Sequence, residues 1–208
     1  LPGGCDPAGV GGGEADVSAG VGKPPLLRQQ IVLSGVGGQG VLFLSRLLAE
    51  SAIACGFPVL TSETHGMAQR GGVVVSHLKV GGFDSPLVRR GRADLLLVLK
   101  EENVVLHREF LADGGVLIVN ARVPADPDPR LQVHTVDADA LALSAGARHA
   151  ANLVLLGFAI ARIGGRTAGG FFCGAEEIRQ TLSRRQGVGN SRLAASLSAI
   201  DLGIAHGT

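Results

Sequence analysis

Tryptophan and tyrosine are absent from this 208-residue chain, and aromatic residues make up only 3% of it. The side chains on which single-stranded nucleic acids stack are therefore missing. A formal charge of +1 leaves no cationic stripe for a phosphate backbone, so nucleic acid is excluded as a partner. The three cysteines, Cys5, Cys55 and Cys173, lie far apart and form none of the paired spacings that hold zinc or an iron–sulfur cluster. No metal site is expected on this chain. Long apolar runs are also lacking: the stretch from Leu153 to Ile163 is broken by Gly157 and Arg162, well short of the roughly 18 to 20 residues a membrane span needs. The first residues have no basic start followed by an apolar block, so they do not read as a signal peptide, and the expected compartment is the cytoplasm.

What the chain does contain is aliphatic. Hydrophobic residues reach 46% against 18% charged, enough apolar surface to offset the entropy of ordering one domain of this length. Residues 1–25 stand apart. They are rich in glycine with proline and alanine, show no period, and are expected to form a disordered extension before a domain spanning residues 26–208.

From Gln30 onward, short apolar runs alternate with amphipathic stretches, the pattern of βαβ units in a mostly parallel sheet. The spacing predicts strands at Ile31–Ser34, Pro58–Ser62, Val73–Val80, Leu95–Leu99 and Val116–Val119, with Gln132–Val136 as an edge. A helix is predicted from about Gln39 to Cys55, where Val41, Leu44, Leu48 and Ala52 recur at helical spacing and Gly56 supplies the stop. The prolines at 124, 127 and 129 mark a surface loop. Beyond Asn152 the pattern is helical: one apolar face carries Leu153, Leu156, Ile160 and Ile163, a second helix runs from Ala175 to Arg185, and a last face carries Leu193, Leu197, Ile200 and Ile204. The expected fold is α/β and Rossmann-like, a mostly parallel sheet flanked by helices with a C-terminal helical cap.

Two loops carry the chemistry. Gly35-Val36-Gly37-Gly38-Gln39-Gly40 follows a strand and opens a helix, as a dinucleotide fingerprint does. Gly35 is expected to permit the tight turn, Gly37 to let a phosphate approach the backbone, and Gly40 to let the helix pack closely on the strand, with free N–H groups at the helix start favouring an anion. Glu63 sits about where such a fold places a ribose-binding acid. The second loop, Glu63-Thr64-His65-Gly66-Met67-Ala68-Gln69-Arg70-Gly71-Gly72, packs an acid, an imidazole, an amide and a guanidinium beside two glycines. Arg70 could hold a phosphate in bidentate fashion and His65 could donate to a phosphate or a partner carboxylate. The bland alternatives are a glycine-rich turn that binds nothing and a solvated Glu63–Arg70 pair contributing ~0 to 1 kcal/mol.

These two loops, followed by Val75-Ser76-His77-Leu78-Lys79, resemble the gamma-type domain of 2-oxoacid:ferredoxin oxidoreductases, and within that family the indolepyruvate-type small subunits. The likeness runs from about Ile31 to Ala205, including Asn152 and Asn190. The resemblance implies a heteromeric enzyme that oxidatively decarboxylates an aryl 2-oxoacid with thiamine diphosphate, passes electrons through 4Fe-4S clusters to ferredoxin, and forms an acyl-coenzyme A. Thiamine diphosphate, magnesium and the clusters would belong to a large alpha subunit, because this chain has no Gly-Asp-Gly motif for the thiamine metal and too few cysteines for a cluster. Reaction with ferredoxin would run through that complex, and this chain would not be active alone. Its implied tasks are shaping the site, docking the large subunit through Glu63, His65 and Met67, and contacting coenzyme A through Gly35, Gly37, Gly38, Gln39, Gly40, Gln69, Arg70, Gly71 and Gly72. No catalytic residue is assigned to it.

Two other readings stand beside this one, a free-standing NAD-dependent Rossmann dehydrogenase and a nucleotide-binding module without catalysis. A dehydrogenase would need a substrate domain, and about three helices after the proline-rich link are too little for one. Outside the loops, His77 and Lys79 share a strand face with Val75, Arg89, Arg90 and Arg92 form a basic run that is a solvated face unless a phosphate or partner carboxylate meets it, and His107, His134 and His149 show no ligand spacing.

Overall fold

The computed structural model describes residues 27–65, 71–124, 127–164, 170–187 and 190–208. The expected extension over residues 1–25 lies outside them. Six strands form one sheet: β1 (Gln29–Val36), β2 (Val59–His65), β3 (Val73–Val80), β4 (Ala93–Val98), β5 (Leu111–Asn120) and β6 (Gln132–Val136), in the spatial order β2-β3-β1-β4-β5-β6. β1, β4, β5 and β6 pair in parallel, while β3 pairs antiparallel with both β1 and β2. The mostly parallel sheet is borne out, with one strand reversed. A β-bulge between Ala93 and Leu95 breaks the β4–β5 register, and β5 starts at Leu111 rather than at Val116.

The central strands are apolar on both faces, so their sequences read as continuous runs and not as alternation. Ile31, Leu33, Leu95, Leu97 and Ile118 point to one face and are at most 1% exposed. There they meet α1 (Val41–Ala54) and α4 (Ala151–Ile163) in the main core. The opposite face carries Val32, Leu96, Val98, Leu117 and Val119, which form a second cluster with Val88. Its cover is thin: the loop around Val88 and the turns from Glu101 to Phe110, including the one-turn helix α2 (Val104–His107). Each such buried aliphatic side chain contributes ~1.5 to 3 kcal/mol relative to an exposed one.

α4 departs from the amphipathic reading. Every residue from Asn152 to Ile160 is buried, because the sheet lies on one side and α6 (Ser191–Gly207) on the other. Gly157, Gly203 and Gly207 set that crossing: a Cβ on Gly157 would run into the Ile200 carbonyl, and one on Gly203 into the Val154 carbonyl. The remaining cap helix, α5 (Ala175–Gln186), packs against α1. Two helices went unforeseen: the one-turn α2, and α3 (Ala138–Ser144), whose N-cap Asp137 accepts from the Ala140 N–H at 2.8 Å. α1 ends as expected, at a Gly56 with φ of 83°.

Candidate functional site

Strand order fixes where a ligand can sit. From β1 the chain leaves through α1 toward β2 and β3 on one side, and β4 lies on the other, so a crevice opens beyond the carboxyl ends of β1 and β4. The Gly35–Gly40 loop stands at this switch point. Leu99 extends the β1–β4 ladder there, its N–H donating to the Ser34 carbonyl at 2.7 Å.

The glycines divide the work differently from the expectation. Gly35 is still in β1, where a Cβ would lie 2.8 Å from Val41 Cγ2 and 3.2 Å from Leu99 Cβ. It is the close-packing glycine. Gly40, with φ of 83°, adopts the left-handed conformation at the N-cap of α1, and a Cβ there would collide with Asn152 Nδ2 of α4, so its close partner is a helix and not the strand. The Gly37 N–H donates to the Gly72 carbonyl at 3.0 Å. Its neighbour is thus the second loop, not open space. Gly37 and Gly38 are both exposed, and Gly38, with φ of 100°, has nothing within 4 Å of where a Cβ would stand. Backbone approach by a ligand is open at Gly38.

Gln39 is held by its own loop. Its Oε1 accepts from the Val36 N–H at 2.9 Å and its Nε2 donates to the Leu99 carbonyl at 3.0 Å, so the amide fixes the turn between β1 and α1. The side chain still lines the crevice. α1 has no side-chain N-cap, which leaves its first N–H groups without a side-chain acceptor, and Gly40 and Phe43 at its start line the same opening.

Beyond the loop the crevice widens into a cleft of about 820 Å³ between the start of α1, the Gly146–Ala150 segment and the first turns of α6. That volume lies within the roughly 300 to 1,000 Å³ typical of small-molecule sites. Arg148, His149 and Arg192 stand at its rim, and neither arginine has a carboxylate partner among the described residues. A smaller recess of about 160 Å³ continues from it toward Asn120 and Asp139. Asn120 is fully engaged there, donating to Leu99 and Asp139 and accepting from the Ala138 N–H. Arg148, His149 and Arg192 were not singled out as ligands in the sequence. The available signal was Asn190, whose side chain caps α6 by accepting the Arg192 N–H at 2.9 Å and so places Arg192 in the first turn.

The second loop meets the first through Gly72, while Gly71 has φ of 100°. Met67, Gln69 and Arg70 lie outside the described residues. Glu63 and His65 belong to β2, and Glu63 pairs with Ser76, which in turn pairs with Leu33. Two strand spacings, about 10 Å, therefore separate Glu63 from the strand that carries the glycine loop. A ribose-binding acid in a dinucleotide fold sits on the strand beside that loop; here β3 occupies that place.

Below the loop, on the thinly covered face, lies a buried polar cluster. Asn103 Nδ2 donates to the Gly35 carbonyl at 2.9 Å and to Ser34 Oγ at 3.1 Å. His107 Nδ1 lies 3.1 Å from the Asn103 carbonyl and 2.9 Å from Ser34 Oγ; since a carbonyl only accepts, Nδ1 carries the proton. Burial pushes His107 below the usual histidine range. His77 is pushed the same way by burial and then by the neighbouring His107 and Lys79. Its Nδ1 has no hydrogen-bond partner, and its ring meets Phe110 edge-on at 5.3 Å. Both rings are neutral spacers under the loop. Among the described residues no group of three or more His, Cys, Asp or Glu could hold a metal. No helix among them is long and apolar enough to cross a membrane.

Residues 30–206 match the family described as pyruvate ferredoxin/flavodoxin oxidoreductase. The chain belongs to this family. It is 35% identical over 151 residues to the indolepyruvate oxidoreductase subunit IorB of Archaeoglobus fulgidus, covering 63% of this chain and 75% of that one. It is 30% identical over 200 residues to the subunit of the same name in Pyrococcus horikoshii, covering 84% of this chain and 93% of that one. Among solved structures, the gamma subunit of a keto/oxoacid ferredoxin oxidoreductase from Geobacter sulfurreducens superposes with a TM-score of 0.67 at 26% identity, over 86% of this chain and 98% of that one. The fold is also that of a 2-oxoglutarate:ferredoxin oxidoreductase from Magnetococcus marinus with 2-oxoglutarate, coenzyme A and succinyl-CoA bound: TM-score 0.71, 19% identity, 86% of this chain and 31% of that one. The chain is thus a subunit of a 2-oxoacid:ferredoxin oxidoreductase, resembling the indolepyruvate oxidoreductase subunits.

Proposed function

We propose that this chain is the small subunit of an indolepyruvate-type enzyme and that its cleft receives the phosphates of coenzyme A. One observation carries the reading: an open Gly38 backbone, the uncapped start of α1, and two cations without a carboxylate partner among the described residues, Arg148 and Arg192, converge on one cleft. Anions are stabilised by such N–H groups and guanidinia together. Coenzyme A would supply the thiol that accepts the acyl group released from the 2-oxoacid. This chain's part is to hold the cofactor's phosphates, with Gly38, Arg148 and Arg192 as contacts, Gln39 and Asn103 fixing the loop, and Arg70 as a further candidate on the second loop.

The described residues do not fit an iron–sulfur cluster or a thiamine-bound metal. Those groups, and electron transfer to ferredoxin, are assigned to the large subunit in the cytoplasm, docked through the Glu63–Gly72 loop. A stand-alone NAD dehydrogenase is disfavoured by the position of β3 between Glu63 and the loop.

The test is reconstitution. Alone, the chain should be colourless and inactive toward indolepyruvate with an artificial electron acceptor, and activity should appear on adding the large subunit. In the complex, Arg148→Gln should raise the Michaelis constant for coenzyme A about 10-fold, the loss of one charge-assisted hydrogen bond of roughly 1.5 to 3 kcal/mol. An unchanged constant, in both Arg148→Gln and Arg70→Ala, would remove coenzyme A from this chain.

A further inference from the structure

The basic run at Arg89, Arg90 and Arg92 has no place in the cleft, because it lies at the other end of the sheet. The loop that carries it leaves β3 at Val80 and returns to the sheet at Ala93, the first residue of β4. Lys79, one residue before the end of β3, pairs with Gln30 near the start of β1, whereas the glycine loop follows the end of β1. Six residues of strand, about 20 Å at ~3.3 Å each, separate the two places.

Lys79 is an unusual lysine. Only 7% of it is exposed, although lysine is rarely buried without a partner. Its Nζ lies 5.0 Å from the centroid of the Phe83 ring, and the Arg28 guanidinium carbon lies 4.2 Å from the same centroid. Arg89 adds a third cation from the loop. Burial first, then Arg89 and Arg28, holds Lys79 below the usual lysine range. Among the described residues none of the three makes an ion pair with a carboxylate, while Arg90 beside them is taken by Glu109 at 2.8 Å. Asp84 follows Phe83 and is exposed without such a pairing, and Asp94, on β4 beyond β1, accepts the Gln30 N–H at 2.7 Å.

We infer that Lys79, Arg28 and Arg89 form a second anion site, for a dianionic phosphate group, at the end of the sheet opposite the glycine loop. The Lys79 ammonium, on a buried stem, is the anchor. Two exposed guanidinia flank it with the forked donors that suit tetrahedral oxyanions. Two cations on one ring, with Arg89 close enough to act on Lys79, repel one another, and the charge of the ligand selects its class. A phosphate monoester carries about −1.5 to −2 at neutral pH and offsets most of that repulsion, whereas a single carboxylate offsets a third of it. Phe83 shapes the site by keeping the two nearest cations on its ring, and Val88, 3% exposed, anchors the loop to the second core cluster. This inference does not depend on the coenzyme A assignment.

The experiment uses the full chain without its partner. Pyrophosphate, inorganic phosphate and acetate are titrated by calorimetry at low ionic strength into the Arg148→Gln/Arg192→Gln variant, in which the cleft has lost its cations. Backbone amide shifts report which end of the sheet responds. A phosphate-binding component should remain in that background, with shifts at Lys79 and Phe83 rather than at Gly38, and acetate should bind at least 10-fold more weakly. Adding Lys79→Met, which keeps the buried stem, should weaken the component 10-fold or more, and Arg89→Gln, a surface change, several-fold. Absence of the component, equal binding of acetate, or indifference to Lys79→Met would each overturn the site. In those cases Lys79 merely lays its stem along the sheet with its head in water. If the Lys79 variant leaves phosphate binding unchanged and, in a parallel assay with the large subunit added, weakens association, the cluster is a docking contact and the phosphate assignment fails.

Discussion

The Gly37 N–H donates to the Gly72 carbonyl at 3.0 Å, and a Cβ on Gly37 would stand 3.4 Å from the Gly71 nitrogen. The two glycine-rich segments are therefore one structure, tied by their backbones. Gly37→Val should disturb both: a branched side chain meets backbone, which cannot swing aside. In the reconstituted enzyme, we expect weaker subunit association together with a raised coenzyme A requirement. Gly38→Ala meets no atom, so beyond the backbone strain at its φ of 100° it should raise the coenzyme A requirement and leave subunit association unchanged. Steady-state kinetics with a parallel binding assay separates these outcomes; equal effects of the two variants would argue against the coupling.

Gly40→Ala is expected to be the most costly single change in the first loop. The left-handed conformation costs a non-glycine residue ~1 to 2 kcal/mol, and the new methyl collides with Asn152, adding ~1 to 3 kcal/mol of overpacking. Chemical denaturation should show a loss of roughly 3 kcal/mol. The Asn152→Ala background should recover the overpacking part and leave the conformational part. Strict additivity of the two changes would disprove contact between them.

At the α4–α6 crossing two effects oppose each other. Alanine improves helix propensity over glycine by ~1 kcal/mol, yet a Cβ on Gly203 would meet the Val154 carbonyl and lie 2.8 Å from the Phe158 nitrogen. Backbone atoms cannot rotate away, so overpacking prevails. Gly203→Ala should lower the melting temperature, and Gly203→Leu should lower it further. A rise on the alanine change would mean that the helices can part without loss.

Acid stability should depend on Asp128. Hydrogen bonds from Arg130 and Arg108 hold its carboxyl down to about 2, below the ordinary aspartate value. A depressed acid binds fewer protons folded than unfolded, so its contribution is full above about pH 4 and is lost as pH falls toward 2. Asp128→Asn should reduce stability at neutral pH and flatten the curve between pH 4 and 2. A curve of unchanged slope would sever Asp128 from the acid transition.

His77 and His107 act in a higher window. Both are lowered by burial, so the unfolded chain takes up protons first, and their contribution, complete above about pH 6.5, shrinks as pH falls from there toward the folded values. His77→Phe, which can keep the edge contact with Phe110, should make stability less steep between pH 6.5 and 5 while leaving it near wild type at pH 8. Identical slopes in the two proteins would rule this out.

The strands and long helices were legible because their patterns are intrinsic to short windows: Val41, Leu44, Leu48 and Ala52 mark α1 wherever it docks. α3 left the same kind of mark, an Asp137 cap, helix-forming alanines and leucines, and Gly146 with φ of 70° after it, but seven residues are too few for periodicity to stand out. The direction of β3 could not be read, since Val73–Val80 is apolar enough to be buried whichever way it runs. The same limit hid the cleft. Arg148 and Arg192 reach the glycine loop only through the docking of α4 and α6, over 100 residues further along the chain.

Because β2 joins the sheet through β3 alone, chain order and assembly order differ. As the polypeptide leaves the ribosome, β1, α1 and β2 emerge before either strand that flanks β1. The first pairing available is β2 with β3, consecutive in the chain and antiparallel. β3 is also the first strand that can pair with β1, and β4, which lies on its other edge, comes later in the chain. The nascent chain thus carries an unpaired, wholly apolar Ile31-Val32-Leu33 for some 40 residues of synthesis, the interval in which a chaperone or premature association would find it.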